Sequence, residues 1–204
     1  VPATARACAA AATPWVLDPV GVGIGSLRTR LIEAVRENPP TILRGNASEI
    51  IAVADLWGLG GNSADGASGD GPRGVDSTDS VDAAERAAVA CARFTGGAVA
   101  VSGATDLVTD GVQVARLSGG SSLMTCITGS GCSLGGVCAV YACVADPFVA
   151  ALTATAAYNL AGLRAAETCD GPGSFQVAFL NALYNLTTEE VTEAPLALTS
   201  TSAA

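Results

Sequence analysis

The sequence predicts an α/β fold: a mostly parallel central sheet flanked by helices in three layers, α-β-α. Two observations predict it. Short apolar runs alternate with longer stretches whose apolar residues recur at helical spacing, as βαβ units require. The chain is also long and apolar enough, at 204 residues with 50% hydrophobic and 14% charged, to bury one core on both faces of a sheet. A single domain over 1–204 is therefore expected.

The elements follow in order. Residues 15–18 (WVLD) read as a short buried strand ending at Asp18. The glycine-rich turn Gly21-Val22-Gly23-Ile24-Gly25 comes next, and Ser26 starts a helix to about Glu37 with Leu27, Leu31, Ile32 and Val35 on one face. Pro39-Pro40 ends it, and residues 41–43 (TIL) form a second strand leading to Arg44. Asn46 caps a helix carrying Ile50, Ile51, Val53, Ala54 and Trp57, with Glu49 placed for a capping box. Residues 58–73 are Gly, Ser and Asp with almost nothing to bury, so a loop insertion is expected. A helix over 79–94 follows, then strands at 98–101, 106–109 and 112–117, the last two joined tightly at Asp110-Gly111. Residues 123–127 read as extended. Helices are expected over 131–145, from Pro147 to about Cys169, and over 174–185, and residues 187–204 as a loose tail.

Composition excludes several chemistries. There is no histidine, which removes Ser-His-Asp triads, Cys-His dyads and HExxH zinc sites. All 10 basic residues are arginine, so a Walker A loop, a protein-kinase lysine and a pyridoxal Schiff base are excluded too. A net charge of −9 argues against nucleic acid and anionic membranes. The uncharged helices near 131–145 and 147–163 each fall short of the ~20 apolar residues of a membrane span. Seven cysteines, none in a CxxC pair, read as reduced and mostly buried thiols of a cytoplasmic protein. The chain begins at Val1 rather than Met, and residues upstream are expected.

Chemistry gathers at three places. In Gly21–Ser26 the third glycine falls one residue early for a GxGxxG fingerprint and no acid ends the next strand, so a structural turn is favoured over a dinucleotide site. Thr128-Gly129-Ser130-Gly131-Cys132 opens a long helix. Amides of Gly129, Ser130 and Gly131 converging at the positive end of that helix suit an anion. Cys132 stands in its first turn, either as a reactive group or as an inert thiol. Asp18 and Glu49 follow neighbouring strands, where carboxylates suit Mg²⁺ in phosphate chemistry. Glu49 equally suits a capping box with Asn46. Arg44 suits a phosphate, or a surface ion pair with Glu49.

These residues resemble the hydroxyethylthiazole kinase family, which has a ribokinase-like fold. The matching stretches are Val16–Gly23, Arg44-Gly45-Asn46-Ala47-Ser48-Glu49-Ile50, Gly74-Val75-Asp76-Ser77, Ala100–Gly103, Leu123-Met124-Thr125, Thr128–Cys132, Gly171–Val177 and Leu183–Leu186. The resemblance implies transfer of phosphate from ATP, with Mg²⁺, to the hydroxyl of 4-methyl-5-(2-hydroxyethyl)thiazole in thiamine salvage. A different small alcohol, such as a hydroxymethylpyrimidine, is the alternative acceptor, and a non-catalytic fragment of such an enzyme is the other alternative to an active kinase. It places Arg44 and Ser102 on ATP-contacting positions, Ser102 where threonine is usual. Gly129 falls on a substrate-contacting position, Cys132 on that of the catalytic base, and Asp18 and Glu49 on the magnesium and phosphate network. It further implies a homotrimer with sites at subunit contacts. The family's N-terminal portion has no counterpart here, and the 58–73 segment is longer than usual.

Overall fold

The computed structural model describes residues 1–60 and 81–201. Most of the 58–73 segment, the Gly74–Ser77 motif and the expected helix start at 79 lie outside the described residues. Helix α1 (Pro2–Ala10) comes first, unexpected from the alanine-rich start, with Pro2 in its first turn where a missing N–H costs nothing. Strand β1 (Val16–Leu17) is followed by α2 (Ser26–Ala34), which tightens into a 3-10 turn at Val35–Glu37. Strand β2 (Ile42–Asn46) leads directly into α3 (Ala47–Leu56). Then come α4 (Val81–Thr95) and strands β3 (Ala98–Ser102), β4 (Thr105–Thr109) and β5 (Gln113–Ser118). Helices α5 (Ser130–Ala142), α6 (Pro147–Thr168), α7 (Pro172–Asn185) and α8 (Thr188–Thr192) precede strand β6 (Leu196–Ser200).

The six strands form one open sheet in the order β1-β2-β3-β4-β5-β6. It is mixed rather than mostly parallel. β1, β2 and β3 run parallel, and β3 to β6 run antiparallel. The reason is local: β3, β4 and β5 are joined by turns of two and three residues, too short to carry a parallel crossover. The described part of the expected loose tail, residues 187–201, also departs from expectation. Thr187 and Glu190 close a capping box on α8, and β6 pairs along β5 from Gln113↔Ser200 to Leu117↔Leu196. Residues 122–126 are a 3-10 helix rather than extended chain.

Strand alternation distributes the core between two layers. Ile42, Ala98, Ala100, Val108 and Ala115 face α5, α6 and α7, where Phe148, Tyr158, Phe175 and Phe179 pack. Leu43, Val99, Val101, Leu107 and Val114 face the other way, onto Ile32, Val53, Trp57, Ala84, Ala88 and Cys91. The three-layer arrangement is as expected. The thiols are less buried than expected: Cys91 and Cys138 are buried, whereas Cys126, Cys132 and Cys143 are exposed, and none of the seven is in a disulfide. No helix among the described residues is long and apolar enough to cross a membrane.

Candidate active site

The same alternation builds the site. Val16 packs on the α5 layer and Leu17 on the other, so Asp18 returns to the α5 side. Arg44 shares a face with Ile42, and Ser102 with Ala98 and Ala100. Parallel register sets Arg44 beside Ala100 and Asn46 beside Ser102. Three polar side chains thus emerge at the carboxyl ends of three adjacent parallel strands, all under the start of α5. That sheet edge is where ligands bind in open α/β folds.

Arg44 is only 8% exposed. Its Nη1 donates to Asp18 Oδ2 at 3.0 Å and its Nη2 donates to Ser102 Oγ at 2.9 Å. The expected alternative, a surface pair with Glu49, is not what forms. Glu49 is engaged otherwise: its Oε2 accepts from the Asn46 amide at 2.9 Å while Asn46 Oδ1 accepts from the Glu49 amide, completing the capping box. Glu49 Oε1 accepts from the Gly21 amide at 3.1 Å, tying the glycine-rich turn after β1 to the start of α3. In that turn Gly21, Gly23 and Gly25 stand at positive φ.

Asp18 lies beside both groups. Burial pushes its carboxyl above the ordinary aspartate range, the Arg44 guanidinium pulls it back, and the Glu49 carboxylate raises it again. Two buried atoms here have no hydrogen-bond partner, Asp18 Oδ1 and Arg44 Nε. Orphaned buried polar atoms are costly, so a group that bonded to them would be favoured here.

Above Arg44 stands the first turn of α5. Gly129 caps it in the left-handed conformation at φ 85° with no side chain closing the helix end. The first amide to bond back is that of Ser133, to Gly129 O at 2.9 Å, so the amides of Ser130, Gly131 and Cys132 are left for another acceptor. Ser130 Oγ donates to Met124 O at 2.7 Å, anchoring the helix start to the 3-10 segment before it. A Cβ at Gly131 would lie 3.1 Å from Arg44 Nη1 and 3.2 Å from Nη2, so the guanidinium sits directly against this turn. A guanidinium held in place against a helix start whose first amides have no acceptor is an arrangement that suits an anion. Cys132, exposed, is on its rim.

Two groups had no warning in the sequence reading. Asp106, at the start of β4, accepts from Gly103 N at 2.9 Å and from Asn159 Nδ2 at 2.8 Å, and burial pushes its carboxyl above the usual range. Tyr158, the residue before Asn159 on α6, meets Ser133 at 2.5 Å. A polar pair inside an otherwise small and apolar helix was the available signal.

An open sheet with this layer order is also found in solved kinases of the ribokinase-like class. A pyridoxal kinase from Staphylococcus aureus in complex with AMP-PCP superposes with a TM-score of 0.57 at 17% identity, covering 92% of this chain and 63% of that one, a likeness of fold. A hydroxyethylthiazole kinase protein from Pyrococcus horikoshii is nearer, with a TM-score of 0.80 at 26% identity over 96% of this chain and 69% of that one. The model of the hydroxyethylthiazole kinase family matches residues 2–189. Relatives named hydroxyethylthiazole kinase are 52% identical over 197 residues in Bifidobacterium longum and 47% identical over 187 residues in Cereibacter sphaeroides. The chain belongs to the hydroxyethylthiazole kinase family. It spans 63% of the length of the Bifidobacterium relative, with 90% of its own length matched.

Proposed function

We propose that this chain transfers the γ-phosphate of ATP to the hydroxyl of 4-methyl-5-(2-hydroxyethyl)thiazole. The observation that carries the reading is the buried Arg44 guanidinium, held by Asp18 and Ser102 directly beneath the open amides of α5. Phosphoryl transfer needs positioning and charge stabilisation more than covalent chemistry, and this arrangement supplies both.

In the proposed reaction the acceptor hydroxyl oxygen bonds to the γ-phosphorus as the bond to the β–γ bridging oxygen breaks, and ADP leaves. Arg44 and the amides of Ser130, Gly131 and Cys132 bind the non-bridging oxygens. Ser102 holds Arg44 in place, and Gly129 forms the floor on the acceptor side. Cys132 Sγ takes the hydroxyl proton at the rim of the turn. Asp18 Oδ1, a buried carboxylate oxygen without a hydrogen-bond partner, would hold Mg²⁺, with Glu49 close by. One or two carboxylates, with phosphate oxygens and water completing the shell, is how Mg²⁺ is usually held. When bound, it neutralises charge on the phosphate oxygens. A cytoplasmic homotrimer completes the proposal, on the family resemblance.

The test is coupled ADP release with the thiazole alcohol, with a hydroxymethylpyrimidine and with neither. Release that depends on the thiazole alcohol supports the reading. Equal release in all three, or dependence on the pyrimidine alone, refutes it.

A further inference from the structure

The hydroxyl of Ser133 has one proton and three close partners. It lies 2.7 Å from Gly129 O and 3.1 Å from Ser130 O, both of which only accept. Its proton therefore goes to Gly129 or Ser130, and the 2.5 Å contact with Tyr158 must be donated by the phenol. Burial pushes the Tyr158 phenol above its ordinary value of 10, so the donor stays protonated through the working range. The result is a directed relay, Tyr158 O–H to Ser133 Oγ, and Ser133 O–H to Gly129 O. It ends on the one residue of the turn that no side chain caps and that adopts a left-handed conformation.

We propose that Tyr158 and Ser133 are positioning residues that fix the Gly129 end of the phosphate-binding turn. The proposal rests on the phosphate-binding reading of that turn. Tyr158 is suited to the task because its ring is immobile. It is 2% exposed and meets the Phe179 ring edge-on, with centroids 5.0 Å apart at 75°. A rigid donor from α6 thereby sets the pitch of the first turn of α5, whose amides would otherwise fray. The relay acts on the turn proposed above to hold the γ-phosphate, which AMP lacks, so its effect should fall on ATP and not on AMP.

The experiment is calorimetric titration of ATP and of AMP into the unsubstituted chain and into Tyr158→Phe, Ser133→Ala, the double variant and Ser133→Thr. Tyr158→Phe keeps the packed ring, and Ser133 is exposed, so the fold survives both changes. The unsubstituted chain is expected to bind ATP more tightly than AMP. Tyr158→Phe and Ser133→Ala should each weaken ATP about fivefold, the value of one ordinary hydrogen bond, and leave AMP unchanged. The double variant should match Ser133→Ala, because the relay acts as one unit, and Ser133→Thr should restore ATP binding. The proposal is overturned by ATP binding that is unaltered in the variants, by equal weakening of ATP and AMP, or by additive losses. An unsubstituted chain that binds ATP no more tightly than AMP overturns it too. A chain that shows the ATP increment but does not turn over the thiazole alcohol overturns the proposed acceptor and leaves the relay tested.

Discussion

Replacing Gly131 by alanine separates stability from phosphate binding. Gly131 is the second residue of α5, and its φ is not in the left-handed region, so the backbone accepts a side chain. Helix propensity favours alanine there by up to about 1 kcal/mol. Against this, the new Cβ would stand 3.1 Å and 3.2 Å from the two terminal nitrogens of Arg44 and 3.6 Å from its Cζ. These are closer than carbon and nitrogen normally approach, and Arg44 cannot swing away, being bonded to Asp18 and Ser102. Either the guanidinium or the helix start shifts by a few tenths of an ångström. Overpacking of this kind costs about 1–3 kcal/mol, which the propensity gain partly offsets. The net change in stability is therefore small, about 1 kcal/mol. Phosphate binding has no such compensation. Weakening one charge-assisted bond costs about 1.5–3 kcal/mol, so ATP affinity should fall by about tenfold or more. Denaturant unfolding measures the first quantity and ATP titration the second. ATP affinity equal to that of the unsubstituted chain would refute the juxtaposition of Arg44 and the α5 turn as the phosphate site.

Three further outcomes follow from the geometry. Arg44→Met leaves the buried Asp18 carboxylate unpaired and should cost about 3–5 kcal/mol in denaturant unfolding, with Asp18→Asn added to it recovering part; a loss below about 1 kcal/mol would show the pair to be solvated. Cys132→Ala should lower kcat by about 10²-fold or more with ATP affinity nearly unchanged, and equal turnover would return Cys132 to a thiol without a role. Asp106 has a raised pKa in the folded chain, so the native state holds that proton more tightly than the unfolded one. Its contribution to stability therefore falls as pH rises from about the ordinary value of 3.8 through the raised native value, and is flat above; Asp106→Asn should remove that slope from the pH profile of unfolding, and an unchanged slope would contradict its burial.

Asp18 and Arg44 were legible as polar residues closing short apolar strands, and the glycines before Cys132 as the start of a long helix, whereas Ser102 entered only through the family resemblance. In the structure, strand alternation brings Asp18, Arg44 and Ser102 to one face. The pairing among them was not legible. Arg44 and Asp18 are 26 residues apart, while Glu49 is five residues from Arg44, and local spacing favours the wrong partner. The capping box satisfied Glu49 and left Arg44 to Asp18. The tail was misread for a related reason. The strand Leu196–Ser200 has every residue exposed, so it carries no burial pattern, and its existence depends on the edge of β5. Asp106, Asn159, Ser133 and Tyr158 escaped notice because their hydrogen bonds join segments 25 and 53 residues apart.

The most direct test of phosphoryl transfer at this turn is a phosphorus NMR spectrum of the chain incubated with ATP, Mg²⁺ and the thiazole alcohol. The account predicts loss of the γ-phosphate signal, growth of ADP signals and a new phosphomonoester resonance, all suppressed by Gly131→Ala. ATP that stays intact, or that yields inorganic phosphate with no phosphomonoester, would contradict it.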